Sequence, residues 1–466
     1  MPPPLDVGPG VQSVSPAAQA LTAPRDAVIE IVLDEPVDPS TATADAIRVF
    51  GRWSGVMTGA VSLLDDDTRV RFVPNRDFAA GELVTVTLTR AIADAGGETR
   101  GTGYSWGFWT RAGAGTLDQT EVDRFSVRQA GEGRVQAYGA FGGDLDGDGF
   151  PDLMIPNEIS ADVRVFMNDG AGGYAAFDVY PIAGGAVPST NEGADFNGDG
   201  LMDFAVGNAG NERVSVFMGV GARQFEHAGN VDADDGVRGL CVLDAEGDGD
   251  TDIVTANRAG SSVTVLLGNG SGGFALASNG DVGGDGETAC ATLDADEDGI
   301  PDVVIGAINS AEVIVLLGDG GGAFTPGNPI PAGGGPWMLV AGDVNGDGHG
   351  DVLSANAGQS TFSVLLGDGD GRFALDDTYP VGQTPLAIDV GDLDGDGDLD
   401  VVTSNFHSAD WTVYENLGDG TFGNSRTLSA GSAGSCATLH DRDGDGDLDI
   451  TGIDELDDVV VLFGNG

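Results

Sequence analysis

Seven short stretches of this chain place oxygen-bearing side chains at positions 1, 3, 5 and 9 of a loop, at intervals of about fifty residues. They read DLDGDGFPD, DFNGDGLMD, DAEGDGDTD, DADEDGIPD, DVNGDGHGD, DLDGDGDLD and DRDGDGDLD. Position 1 is Asp144, Asp195, Asp244, Asp294, Asp343, Asp392 or Asp441, and position 3 is Asp146, Asn197, Glu246, Asp296, Asn345, Asp394 or Asp443. Position 5 is Asp148, Asp199, Asp248, Asp298, Asp347, Asp396 or Asp445, and position 9 is Asp152, Asp203, Asp252, Asp302, Asp351, Asp400 or Asp449. Position 7 varies freely (Phe150, Leu201, Asp250, Ile300, His349, Asp398, Asp447), as expected if only its carbonyl is used. Four side-chain oxygens and a carbonyl make a cage for a hard cation. Calcium takes six to eight such ligands at about 2.3–2.6 Å, whereas magnesium demands a tighter octahedron.

The invariant Gly at position 6 permits the sharp turn that this convergence needs. An EF-hand would carry its last acid at position 12 and would be flanked by helices; here apolar alternation follows position 9. About seven calcium ions are therefore expected. Glu246 is one methylene longer than Asp, so the third site is expected to be distorted or weaker. His349 falls at the carbonyl position and is expected to be a bystander rather than a zinc ligand. One Asp-Gly-rich stretch is an ordinary solvated turn, but seven in register are not. Seven equal, oxygen-saturated sites read as structural staples, and calcium activates water poorly compared with zinc.

The elements that must hold these loops also repeat. After each loop comes a strand of the type DVLSAN, DIVTAN or DVVTSN, then a polar turn and a second strand such as FSVLLG or VTVLLG. A Gly-rich turn leads to an aromatic residue (Phe125, Tyr174, Phe225, Phe274, Phe324, Phe373, Phe422) expected to open a third strand. A fourth, such as PWMLVAGD, runs into the next loop. Four short strands per unit describe a propeller blade. The last unit stops at VVVLFGNG, and RFSVRQ precedes the first loop, so an N-terminal strand is expected to complete the last blade and close the ring. Closure removes exposed sheet edges.

These units resemble the FG-GAP/VCBS repeat family, which includes the seven-bladed integrin α-subunit propellers; PDVVIGAINSAEVIVLLGDGGGAF is especially close in pattern. The resemblance implies calcium loops on one face of the ring and ligand binding on the other. The Phe-Gly…Gly-Ala-Pro signature is mostly eroded. On the face opposite the loops, the register six residues before each loop Asp disagrees with itself: Tyr138, Ser189, Arg238, Thr288, Trp337, Leu386 and Ser435. Tyr138, Arg238 and Trp337, with His407 in a nearby turn, are the candidate ligand contacts; an unconstrained rim would look the same. Trp411 and Phe362 align with Val positions of the second strand and are expected in the core.

Residues 11–112 lack the period. Alternation in Val28–Val32, Thr68–Val73 and Leu83–Leu88 suggests a small antiparallel sandwich. The order VQSVSPAAQA, IEIVLDEPVDPST, RFVPNRDFAAGELVTVTLTRAIADAGG, YSWGFWT resembles bacterial Ig-like domains. Trp106 and Trp109 are expected to be core and edge packing. Residues 113–123 read as a linker and 124–466 as the propeller, giving an all-β chain: an Ig-like sandwich, then a seven-bladed propeller.

The net charge of −55 argues against nucleic-acid phosphates as partners, and no apolar run is long enough to span a bilayer. All 20 basic residues are Arg. The metal loops hold about a third of the 75 acidic residues; the remainder has no assigned ligand. The 3 Cys (Cys241, Cys290, Cys436) are too few and too odd in number for a disulfide framework and are expected to be small buried residues. MPPPLDVGPG shows no basic n-region or apolar core, so no signal peptide is expected in it. Calcium loops with Kd of roughly 10⁻⁴–10⁻³ M fill outside cells, which points to an extracellular or cell-surface protein. No nucleophile elbow, Walker loop or Cys/His zinc cluster is present. The expected function is adhesion or recognition of a glycan or protein, without catalysis; the alternative is a calcium-dependent polysaccharide-degrading enzyme or its non-catalytic module.

Overall fold

A computed structural model of the chain describes residues 8–174, 176–221 and 223–465. The segment read for export information therefore lies largely outside the described residues, as does Gly466. Among the described residues there is no α-helix, only a 3₁₀ turn at Ala44–Ala46.

The N-terminal unit is a sandwich of two four-stranded sheets. One joins Val11–Ser15, Ile29–Leu33, Arg69–Pro74 and Gly59–Leu64; the other joins Gly55–Val56, Ile47–Gly51, Leu83–Leu88 and Tyr104–Trp109. Ile29, Ile31 and Leu33 point inward in strict alternation, as the period-2 pattern requires. Trp106 belongs to this core, but Trp109 does not. Trp109 is buried against Val344, Leu399 and Phe362 of the second unit, so it packs at an interface rather than at an edge.

From Thr120 onward the described residues build seven antiparallel sheets, six of four strands and the fourth of five. In the fifth, Pro336–Gly342, Asp351–Asn356, Thr361–Gly367 and Phe373–Pro380 pair in that order. The second strand of every sheet is buried at all six positions, because both its faces meet a neighbouring sheet. That explains why DIVTAN-type strands are continuously apolar or small rather than alternating. The cores lie between sheets. Val304 and Val315 of the fourth pack on Val352 and Leu365 of the fifth. Ile453 and Val460 of the seventh pack on Leu153 and Phe166 of the first, so the succession of sheets returns to its start.

The last sheet takes its outer strand from the beginning of the repeat region. Thr120–Ser126 pairs with Val459–Gly464. This strand starts inside the stretch expected to be a linker, and its register differs from the expected one. Phe125 faces Val460, whereas Phe373 and Phe422 face the residue ending the third strand (Gly367 and Asn416). The corresponding slot is filled by Thr120, opposite Gly464, and Phe125 instead stacks near Phe166 and Tyr174. Residues before this strand are packed as well: Leu117 is buried among Leu393, Leu448 and Phe463. In the fourth sheet the outer strand is split into Phe324–Pro326 and Ile330–Pro331, where prolines withhold ladder donors.

Candidate functional site

The acidic loops join the first and second strands of each sheet, all at one end of the ring. Their geometry is built from the loop's own carboxylates. In all seven, the position 1 carboxylate accepts the N–H of the position 6 Gly at 2.8–3.2 Å. In all seven, the position 5 carboxylate accepts the N–H of position 7. The position 6 Gly lies at φ between 83° and 100°, and position 4 is also left-handed. Position 4 is Gly in six loops and Glu297, at φ 57°, in the fourth. His349, the position 7 residue of the fifth loop, donates its Nδ1–H to Glu297 Oε1 at 2.5 Å, which gives it a partner outside its own loop.

Position 9 clips the loop to the sheet. One oxygen accepts the N–H of position 2 at 2.8–3.1 Å in every loop. The other accepts an N–H at the end of the third strand in six of them. Burial, aided by neighbouring carboxylates, pushes these acids far above their usual range. Asp152, Asp252 and Asp400 reach about 8, and Asp203, Asp302, Asp351 and Asp449 about 7. A divalent cation would reverse that cost by restoring the charged form.

Three carboxylates converge in four loops, although in the first Arg223 also pairs with Asp146 and, at 3.1 Å, with Asp148. Oxygens of Asp144, Asp146 and Asp152 lie within 4.8 Å of one another, as do those of Asp294, Asp296 and Asp302, of Asp392, Asp394 and Asp400, and of Asp441, Asp443 and Asp445. Asp296 Oδ1 and Asp443 Oδ1 are buried with no hydrogen-bond donor among the described residues, as expected of atoms meant for a cation. In the second and fifth loops the position 3 amide instead donates to position 5 (Asn197 to Asp199, 3.0 Å; Asn345 to Asp347, 2.9 Å). In the third, Arg90 of the sandwich lies 3.9 Å from Glu246 and 3.0 Å from Asp248.

Arg90 is one of several contacts by which the sandwich sits on the loop end of the ring. Arg76 reaches Asp144 at 2.6 Å. Backbone bonds run from Asp144 N to Trp53 O (2.7 Å), Ser105 N to Gly299 O (2.7 Å) and Gly113 N to Gly446 O (2.5 Å). Arg52 enters the ring axis. Its guanidinium binds both oxygens of Asp389 at 2.8 and 3.1 Å, and the nearby Glu192 carboxyl is pushed up to about 7 by burial. No sequence signal marked Arg52, because its partners lie in a different domain, far along the chain.

Above Arg52, Leu83 and Trp109, the first strands of all seven sheets enclose an axial cavity of about 270 Å³. The seven self-disagreeing residues, from Tyr138 to Ser435, all line it. In six sheets the pairing register skips the residue at this position, so Ser189, Arg238, Thr288, Trp337, Leu386 and Ser435 are bulged. A bulge re-aims its side chain, here toward the axis, which releases it from the repeat's packing constraints.

Three of the four candidate contacts meet at the mouth opposite the loops. Trp337 Nε1 donates to Tyr138 Oη at 2.8 Å, and the Arg238 guanidinium stacks 5.4 Å from the Tyr138 ring and 5.8 Å from Trp337. Burial raises the Tyr138 hydroxyl to about 12, so it stays protonated. His407 does not join them; it bonds Thr384 Oγ1 at 2.8 Å in an exposed turn. The turns after the second strands, 157–161 and 257–261, were expected on this face by analogy and bring Glu158, which pairs with Arg238 at 3.1 Å, and Arg258, which stacks 4.9 Å from Trp337. Sequence reasoning missed Glu455, bound to Gln136 at 3.1 Å and 3.7 Å from Arg134. Arg258, Glu158 and Glu455 share one register, each ending the second strand's run into its turn. That shared register was the available signal.

The cysteine expectation is corrected. Cys241 and Cys290, from adjacent first strands, form a disulfide with a Cα–Cα distance of 6.1 Å, while Cys436 is free and buried. The copies stand one repeat apart in sequence, so equivalent positions on neighbouring blades face each other; cysteine parity could not show that. Trp411 and Phe362 are fully buried, as core residues.

No curated protein matches the chain. Among solved structures, BBS1N in complex with ARL6DN, soaked with lead, is 11% identical with a TM-score of 0.51, over 75% of this chain and 97% of that one. A protein from Lactobacillus plantarum is 14% identical with a TM-score of 0.50, over 84% and 98%. A structure of an Agrocybe aegerita lectin recognising non-reducing terminal N-acetylglucosamine is 22% identical with a TM-score of 0.43, over 86% and 94%. At these identities the likeness concerns the fold alone. The bacterial Ig-like domain profile matches residues 6–110, and the FG-GAP-like repeat matches 144–206, 195–255, 244–305, 294–354 and 343–403. With the repeat covering more than half of its length, the chain belongs to the FG-GAP-like repeat family, as a β-propeller protein carrying a bacterial Ig-like domain.

Proposed function

We propose that this is an extracellular, calcium-stabilised recognition protein that binds a glycan or protein ligand at the axial mouth opposite its acidic loops. One observation carries the reading. Residues of a single repeated register, of six types in seven copies, converge around one cavity, whereas positions 1, 5 and 9 of the loops are Asp in every copy. Repetition suits staples; a single asymmetric cluster suits a ligand. Calcium, at up to seven loops, is supported by the all-oxygen donor sets and by the buried carboxylate oxygens left without donors. Extracellular location is supported by the Cys241–Cys290 disulfide and by the low affinity typical of such loops. No helix is long and apolar enough to cross a membrane.

The enzymatic alternative has one observation in its favour: Glu192 and Asp389 are two carboxyls in one cavity, with Glu192 raised to about 7. Against it, Arg52 occupies both oxygens of Asp389, and Leu439 N–H adds a further bond at 2.9 Å. A pair so engaged is structural, and the protein is proposed not to be an enzyme. The test is a glycan array run with calcium beside an assay for new reducing ends and unsaturated sugars. Binding without products supports recognition; products would replace it with the enzymatic reading.

A further inference from the structure

The axial mouth carries chemistry specific enough to name a ligand class. Arg134, Arg238 and Arg258 gather there on a chain with a net charge of −55 and only 20 basic residues, against Glu158 and Glu455. Arg258 makes no ion pair among the described residues, although it is held in place by Trp337 at 4.9 Å. A guanidinium stacked on a ring keeps its N–H edge free for a bidentate carboxylate. In the same cavity, Ser435 Oγ and Asn191 Nδ2 are buried, at 4% and 9% residue exposure, with no hydrogen-bond partner among the described residues. Buried polar atoms are normally satisfied, so both point to a polar occupant. Thr288 and Ser189 add hydroxyls to the same wall.

We propose that this mouth binds a carboxylate-bearing sugar, a uronate at a chain end, with its acid on Arg258 and Arg238 and its hydroxyls on Ser435 and Asn191. The proposal rests on the recognition reading above and deepens it. Size favours a sugar over a protein segment: about 270 Å³ lies at or below the roughly 300–1,000 Å³ of drug-sized pockets and takes a single ring. The hydroxyl and amide groups of Ser435, Asn191, Thr288 and Ser189 match sugar hydroxyls, and Leu240, Leu339 and Ala289 beside them suit the apolar face of a sugar ring.

The experiment is titration calorimetry on the calcium-saturated full chain. The probes are trisaccharides of galacturonate, glucuronate and mannuronate, their methyl esters, and a tri-glutamate peptide. At least one uronate is expected to bind, with its ester at least about tenfold weaker. Arg258→Gln and Arg238→Gln are each expected to lose about tenfold or more and Ser435→Ala about threefold. The melting temperature is unchanged in Arg258→Gln and Ser435→Ala, and lowered in Arg238→Gln, which breaks the pair with Glu158. Arg372→Gln, far more exposed, keeps full affinity. Equal binding of acid and ester, no uronate binding, or binding of tri-glutamate alone overturns the proposal. A neutral glycan or a protein bound at the mouth would sink the uronate class while the recognition reading stands. Cleavage of a bound sugar would sink both.

Discussion

The two ends of the ring are made by the same strands and behave in opposite ways. At the loop end, every copy repeats Asp at positions 1, 5 and 9, and each loop is closed by its own carboxylates (Asp294 to Gly299, for example). At the mouth end, the bulged position is Ser, Arg, Thr, Trp, Leu or Ser from blade to blade, and Trp337 and Arg238 bond to other blades rather than to their own. A side chain repeated because packing and loop closure require it reports on stability. One released by a bulge and gathered around the axis is free to report on function.

Chelation should separate the two ends most strongly. At calcium a hundredfold above Kd each filled site contributes about 2.7 kcal/mol, so exhaustive removal is expected to lower the melting temperature by about 10 °C or more by calorimetry. An unchanged melting temperature would break the account of the loop end. Next comes Arg52→Ala, which strands Asp389 and Glu192 in the axis. A loss of about 3–5 kcal/mol is expected in denaturant unfolding, with the sandwich loosened from the ring in limited proteolysis.

The metal-free protein should also respond to pH in a direction opposite to ordinary acid denaturation. The position 9 acids have folded values of about 7 or 8 against 3.8 unfolded. Their stabilising contribution is complete below 3.8 and is lost as pH rises through 7–8. His440, held near 3 by burial against an ordinary 6.5, acts the other way below 6.5, but it is one group against seven. In chelator, lowering pH from 8 to about 5.5 should raise the melting temperature by several degrees, and calcium should abolish the trend. A smaller effect is expected at Glu297→Gly. Relief of the left-handed backbone and loss of the His349 contact nearly cancel, leaving a change of under about 1 kcal/mol. Smallest is Arg258→Gln, expected within about 0.5 kcal/mol of the parent in stability, because the mouth is not what holds the ring together.

Much of this was legible in the residues. The acidic loops, the four-strand unit and an N-terminal strand in the last sheet follow from local signals that recur at one spacing. The register of Thr120–Ser126 was not legible, because an exposed outer strand carries little pattern and Phe125 offered a misleading aromatic. Nor was Glu455, whose partners Gln136 and Arg134 lie at the other end of the repeat region.

What the sequence determined by itself is therefore the unit: a carboxylate loop, the buried strand ending in Asn, and their sevenfold recurrence. These depend on interactions within about thirty residues, which a repeating pattern displays directly. Only the tertiary structure decided what meets across the axis, that Cys241 finds Cys290, and that Arg52 closes the loop end of the channel. Those contacts exist because closing a ring brings the same register of different blades to one line, and no local pattern encodes that meeting.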